Sequence, residues 1–186
     1  MVAKDTAFGT RRRAVRPLDR EKLEQLALAY VARFATSSAK LESYLHRKLR
    51  ERGFEGGEPQ VDRLVERYVE LGYVDDAAYA RAKSGDLQRR GYGPRRIDQA
   101  LRAAGIDGDL REETQVSESD ARQAAAQYAR RRRFGPFGER PDPTRREKQI
   151  AAMIRAGHSF DAARAVVDAQ ETEQVEEWVA QAEEME

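Results

Sequence analysis

The chain has 186 residues, 36% charged, 40% hydrophobic and 8% aromatic, with a formal net charge of +1. It contains no cysteine, which excludes disulfides, iron–sulfur ligation and thiolate zinc sites; no run approaches the ~20 apolar residues of a membrane span, and Arg11 to Arg13 lead into no apolar stretch that would make a signal peptide. The composition points to a soluble, cytoplasmic protein. Its wealth of Ala, Glu, Arg, Gln and Leu, without runs of Val, Ile and Thr, points to helices with thin apolar stripes.

In chain order, residues 1–17 read as a disordered basic segment. Leu23, Leu26, Ala27 and Tyr30 stripe a first helix, and Ser37 and Ser38 precede a second, striped by Leu41, Tyr44, Leu45 and Leu49. Val61, Leu64, Val65 and Tyr68 recur at i, i+3, i+4, i+7 in a third, starting at Pro59 and stopped by Gly72. Asp75 caps a fourth helix reaching Gln88, in which Gly85 costs roughly 1 kcal/mol against Ala. Gly93-Pro94 opens the next, with Pro at the first helical position, where its missing N–H costs nothing. After Gly108 the pattern is weak, with only Leu110 and Val116. Ser117 or Ser119 caps a helix reaching Arg132, and residues 134–143 form a Gly/Pro-rich loop. Thr144 and Glu147 make a capping box for the helix that carries Met153. After Ser159 a last helix runs through Val166 and Val167 toward an acidic tail.

Three of these helices end alike. Gly53, Gly105 and Gly157 are spaced 52 residues apart, and Leu49, Leu101 and Met153 stand four residues before them. A glycine there adopts positive φ and stops the helix just after a core-facing residue. Phe54 and Ile106 follow, placed to fold back on the last turn; His158 breaks the pattern, with Phe160 as the expected substitute. The fold class is therefore all-α: three tandem three-helix repeats over residues 18–74, 75–116 and 117–168, then an acidic C-terminal helix or tail over 169–186. Units that each bury one thin stripe should stack into an elongated, curved body.

Two strings are more specific: Leu71-Gly-Tyr-Val-Asp-Asp-Ala-Ala-Tyr-Ala-Arg81 and Arg89-Arg-Gly-Tyr-Gly-Pro-Arg-Arg-Ile97, followed by Leu101 and Gly105-Ile106. With the helix over 37–54 they resemble the RecX family pattern, in order and separation, strongly over residues 23–106 and more weakly to 168. The resemblance implies a non-enzymatic regulator, without cofactor, that binds the RecA recombinase filament. It would modulate, and in general inhibit, the filament's ATPase, strand-exchange and co-protease activities, by lodging in its groove or blocking its growth, and so act on recombination and the SOS response. Contact with single- or double-stranded DNA is implied as well. Lys40 departs from the pattern, which is usually acidic there, and places a cation near a helix N-terminus. The Arg-rich segment 130–146 and the acidic tail lie outside the resemblance.

The residues themselves support a binding role over a catalytic one. Asp75-Asp76 reads as helix capping, and His46 and His158 have no partner at ligand spacing. There is no Walker loop, nucleophile elbow or His-Glu-x-x-His motif, so no catalytic or metal residue is assigned and no small-molecule substrate or membrane partner is expected. Arg89, Arg90, Tyr92, Arg95 and Arg96 surround a Gly-Tyr-Gly-Pro turn, where guanidinium forks and the helix N-terminus at Pro94 together suit phosphate or carboxylate; the structural alternative is a buried Tyr92 among solvated arginines. Arg130, Arg131, Arg132 and Arg133 must fan around a helix end, where they complement its dipole, and with Arg145 and Arg146 they offer a second phosphate-binding edge. Eight acidic residues and no basic one lie from Asp168 onward, leaving 34 basic against 25 acidic residues in the rest of the chain. The stripe Val175, Trp178, Val179, Ala182 can dock that tail on its own core or free it as an autoinhibitory segment. Two other functions fit less well: a sequence-independent DNA-binding protein acting by competition for DNA, and a nuclease, which lacks a metal cluster.

Overall fold

The computed structural model describes residues 16–184, so most of the basic segment expected at 1–17 lies outside the described residues. The helices are α1 (Arg20–Val31), α2 (Ser38–Arg52), α3 (Val61–Glu70), α4 (Asp76–Arg89), α5 (Pro94–Ala103), α6 (Gly108–Glu113), α7 (Glu118–Arg132), α8 (Pro143–Arg155), α9 (Phe160–Val167) and α10 (Thr172–Glu183), with one 3₁₀ turn at Gly135–Phe137. Among the described residues there is no strand, only a single bridge between Leu18 and Phe54.

Short polar side chains start these helices. Asp19, Ser37, Asp75, Ser117 and Ser159 each accept a backbone N–H of the first turn, a bond whose loss costs typically ~1 kcal/mol. Ser117 rather than Ser119 caps α7. The expected capping box of Thr144 and Glu147 does not form, because α8 begins earlier: Asp142 accepts the Arg145 N–H at 2.9 Å and Pro143 is the first helical residue. Proline is preset for that position, so Asp142-Pro143 wins over Thr144.

Three apolar clusters follow one another along the chain. Leu18, Leu23, Leu41, Leu45, Val61 and Leu64 join α1, α2 and α3. Ala80, Leu87, Ile97, Leu101, Ala104 and Ile106 hold α4 and α5, and α6 adds only the half-buried Leu110. Ala125, Ala129, Ile150, Met153, Ala163 and Val166 join α7, α8 and α9. These groups of helices are called the first, second and third units below. His158 fills the fold-back position that Phe160 was expected to take: it is 1% exposed, whereas Phe160 is 53% exposed at the start of α9. The reason is a polar contact, since the His158 Nε2 lies 3.1 Å from the Gly91 carbonyl oxygen in the second unit.

The units join through the ends of their middle helices. The Ala104 carbonyl, at the C-terminus of α5, accepts the Ser37 hydroxyl at the N-terminus of α2 at 2.5 Å. One repeat further, the Ala156 carbonyl at the C-terminus of α8 accepts the Gly93 N–H at the N-terminus of α5 at 3.0 Å, and the Gly157 carbonyl accepts the Arg95 N–H at 3.2 Å. Two of the stop glycines, Gly105 and Gly157, therefore serve twice. Gly105 has φ +71, and a Cβ there would lie 2.3 Å from the Ala39 Cβ; Gly157 has φ +98, and its Cβ would lie 2.4 Å from the Arg96 nitrogen. Gly53, at the free end, has φ +76 but open space around it, and Leu18 closes that end by donating its N–H to the Gly53 carbonyl. Asp76 adds a second link between the first two units: its carboxylate accepts the Ser38 N–H at 2.8 Å. It supplies from α4 the negative charge that Lys40 fails to supply at the start of α2; Lys40 instead donates to the Tyr79 hydroxyl at 2.8 Å.

The acidic tail is a separate helix docked on α7. Val175 and Ala182 are 1% and 2% exposed, and Arg122 donates to the Trp178 carbonyl at 2.7 Å while its guanidinium lies 5.0 Å from the Trp178 ring centroid. The helix α9 stops at Val167 instead of running into it.

Candidate nucleic-acid interface

Two tyrosines meet where the second and third units touch. Tyr92, in the turn between α4 and α5, and Tyr128, on α7, have ring centroids 6.5 Å apart. The turn is made by glycines with different reasons to be there: Gly91 has φ +76, and a Cβ on Gly93 would lie 2.4 Å from the carbonyl carbon and oxygen of Gly157. Between them Tyr92 is half-buried, held against the junction.

Five arginines line two adjoining depressions around this pair: Arg90, Arg131 and Arg132 on one side, and Arg96, Arg132 and Arg155 on the other. The Arg90 guanidinium lies 5.4 Å from the Tyr92 centroid and that of Arg132 5.5 Å from the Tyr128 centroid, while Arg131 donates to the Arg90 carbonyl at 3.2 Å. Arg90 also faces Asp86 at 3.5 Å, and Arg96 donates to Gln99 at 2.8 Å. Beneath the surface the His158 ring sits 5.6 Å from that of Tyr128. Burial pushes its pKa down, opposed in part by the Gly91 hydrogen bond, so the imidazole stays neutral under a cationic surface. Planar guanidinium forks held beside aromatic rings suit phosphate oxygens and the sugar–phosphate edge of a nucleic acid.

The structure sorts the sequence candidates. It brings Arg90, Tyr92 and Arg96 from one string together with Arg131 and Arg132 from the other, and leaves Arg89 and Arg95 exposed at the adjacent ends of α4 and α5. The remaining four lie outside these two depressions. Arg130 pairs with Glu176 of α10 at 3.2 Å, and Arg133 ends α7 in the left-handed conformation at φ 56. Arg145 faces Glu139 and Asp142 at 3.7 and 3.8 Å, and Arg146 forms two bonds to Asp168 at 2.5 and 2.6 Å. The hydrogen bond from Arg146 holds the Asp168 carboxyl below the usual carboxylate range and raises the pKa of Arg146 in return. The expected anion site at the N-terminus of α5 is also taken, because the Gly93 and Arg95 N–H groups already meet the C-terminal carbonyls of α8.

Sequence reasoning missed Tyr128 and Arg155. Tyr128 lies three and four residues before Arg131 and Arg132, which puts all three on one helix face; that spacing was a usable signal. Arg155 is brought in only by the packing of α8 on α5. His46 corrects another expectation: its ring lies 3.6 Å from Glu42, and with Asp62 it forms a group whose ligand atoms lie within 4.8 Å of one another. All three are at least partly exposed, and the i, i+4 pairing of Glu42 with His46 accounts for that contact by itself.

The family model described as RecX, second three-helix domain, matches residues 75–114, the stretch that carries Arg90, Tyr92 and Arg96. Regulatory protein RecX of Myxococcus xanthus is 36% identical over 160 residues, covering 78% of this chain and 84% of that protein. Regulatory protein RecX of Deinococcus radiodurans is 35% identical over 144 residues, covering 76% and 67%. Among solved structures, RecX from Lactobacillus salivarius superposes with a TM-score of 0.61 at 17% identity, covering 81% of this chain and 95% of that one. A second, described as regulatory protein RecX, gives 0.62 at 22% identity, covering 80% and 71%. The two structures speak for the fold, and the two relatives for more: this chain belongs to the RecX family, whose members named here are regulatory proteins.

Proposed function

We propose that this protein binds RecA-type recombinase filaments on DNA and lowers their ATPase, strand-exchange and co-protease activities, thereby restraining recombination and the SOS response. Membership of a family of regulatory proteins supports the regulatory part. One observation carries the contact: the arginines around Tyr92 and Tyr128, drawn from the turn after α4 and from α5, α7 and α8, converge on a single exposed surface. Five guanidinium groups there can engage phosphates along a nucleic-acid strand without reading its bases. The reading assigns the chain no catalytic step and no cofactor, and places its action in the cytoplasm. Among the described residues no helix is long and apolar enough to cross a membrane. The three apolar clusters support repeat units over 18–74, 75–116 and 117–168.

The test is the ATPase rate of preformed RecA filaments on single-stranded DNA, titrated with the full chain. A rate that falls to a plateau supports the proposal; a rate unaffected at saturating protein overturns it. The arginine surface also favours a second reading, in which the protein only competes for DNA. Co-sedimentation separates the two, since a filament regulator binds preformed filaments more tightly than naked DNA at matched salt.

A further inference from the structure

The first unit carries a second surface of a different kind. The Tyr30 and Tyr44 rings are stacked, with centroids 4.2 Å apart and planes at 16°, and the Phe34 ring continues the series 5.3 Å from that of Tyr30. Cations lie beside the rings: the guanidinium of Arg33 is 5.7 Å from the Phe34 centroid, that of Arg47 5.6 Å from the Tyr44 centroid, and the Lys48 ammonium 5.9 Å from the latter.

The fold makes little use of the outermost ring. Tyr30 and Tyr44 rest on the first apolar cluster and are anchored by it, whereas Phe34 lies beyond the end of α1 and is 52% exposed. The Phe34 N–H donates to the Tyr30 carbonyl at 3.1 Å, so the backbone places the residue, and about half of the side chain is left to water, with only the mobile Arg33 side chain over the ring.

We infer that this face of the first unit binds single-stranded nucleic acid, with an unpaired base stacking on Phe34 and the flanking phosphates meeting Arg33, Arg47 and Lys48. The rings form one row with cations at both ends, Arg33 at Phe34 and Arg47 and Lys48 at Tyr44, which suits a base on the last ring and phosphates at the cations. A duplex is excluded by geometry, because its base faces are already covered by neighbouring pairs. Glu51 sits 2.6 Å from Lys48 and 3.8 Å from Arg47. These are exposed ion pairs of small worth, which phosphates can displace. A protein partner would also cover an exposed aromatic ring, but the three cations at the two ends of the ring row favour a polyanion. The inference stands apart from the RecA reading: it needs no filament, and it concerns the first unit, whereas the arginine surface lies between the second and third.

The experiment measures affinity of the full chain for a short oligo(dT) and for a duplex of equal length, by fluorescence anisotropy over a range of salt. Phe34→Ala should weaken oligo(dT) binding about tenfold, the scale of removing one base–aromatic stack, with the salt slope unchanged. Affinity for the duplex should stay the same. Phe34→Trp should keep the affinity, and its fluorescence should be quenched by oligo(dT) beyond what the unsubstituted chain, with Trp178 alone, shows. Unchanged oligo(dT) binding by Phe34→Ala overturns the proposal, as does an equal loss on duplex. So does normal oligo(dT) binding with abolished filament binding, which would make the patch a protein-docking surface. Thermal melts of both variants guard against misfolding; the Trp variant keeps the test decisive if the Ala variant is unstable.

Discussion

The Ala156 carbonyl accepts the Gly93 amide at 3.0 Å, joining the C-terminus of one repeat's middle helix to the N-terminus of the preceding one. The bond is possible only because neither Gly93 nor Gly157 carries a Cβ, and it fixes where Tyr92 and the arginines around it stand relative to α7.

Gly93→Ala should therefore act on the junction alone. Gly93 has φ −78, which alanine adopts freely, so the whole effect is the clash of a Cβ 2.4 Å from the Gly157 carbonyl group. Overpacking against backbone costs typically ~1–3 kcal/mol. In a chain of this size that lowers Tm by about 2–4 °C for each kcal/mol. Gly53→Ala meets open space but sits at φ 76 and ψ 174, a region kept almost wholly for glycine, so it should cost backbone strain alone, about 1–3 kcal/mol. Calorimetric melts check both; a Gly93→Ala variant that melts with the natural chain would show the second junction to be slack.

His158 should make stability fall in mild acid. Its folded pKa lies below the unfolded value near 6.5 because burial disfavours the charged form. As pH falls below about 6.5 the unfolded chain takes up a proton that the folded chain refuses, so stability present above that pH is lost on the way down to the folded pKa. Denaturation midpoints from pH 8 to about pH 5, compared between the natural chain and His158→Gln, isolate this effect. Parallel curves would remove His158 as its source.

Truncation after Ala169 should destabilise the third unit more than it strengthens DNA binding. It exposes the seat of Val175, a side chain whose full burial contributes ~1.5–3 kcal/mol, and the patch under Trp178. It also frees Arg130 from Glu176, an exposed pair of small consequence. A truncated protein that melts as before yet binds DNA more tightly at low salt would instead identify an autoinhibitory tail.

Replacing Arg131 and Arg132 with Ala should weaken DNA binding and flatten its salt dependence, by about 0.7–0.9 in slope for each phosphate no longer neutralised. Both are exposed, so the fold should survive. Arg146→Ala should do the reverse: it leaves Asp168 only the longer contact with Arg164 at 3.6 Å and lowers stability while leaving the salt slope intact. Salt titrations of binding, read beside thermal melts, check both expectations.

Much of the fold was legible because helix starts and stops are local chemistry. Ser37, Asp75 and Ser159 cap the helices they precede, and the glycines spaced 52 residues apart end the three middle helices. What stayed hidden depends on packing between units. Nothing near Gly157 in sequence shows that Arg96 will press on it, nor that the N-terminus of α5 will be closed by α8. His158 looked like a break in an apolar pattern because its partner, the Gly91 carbonyl, is 67 residues away. The arginine surface was half legible: both strings were visible as basic, but which arginines share the exposed surface and which pair with Asp168, Glu139 or Glu176 is decided by where α9, the loop before α8 and α10 come to rest.

Joints made of main-chain hydrogen bonds and bare glycine have little compliance. A side chain at a joint can change rotamer and let two units tilt; a carbonyl seated on an amide with no Cβ between them has no such freedom. Bending the second unit against the third must break the bonds from Gly93 and Arg95, and the tyrosines and arginines beside them would move apart together. The cost of arranging that surface is met during folding, so any ligand bound there meets it already in place and loses less entropy on binding.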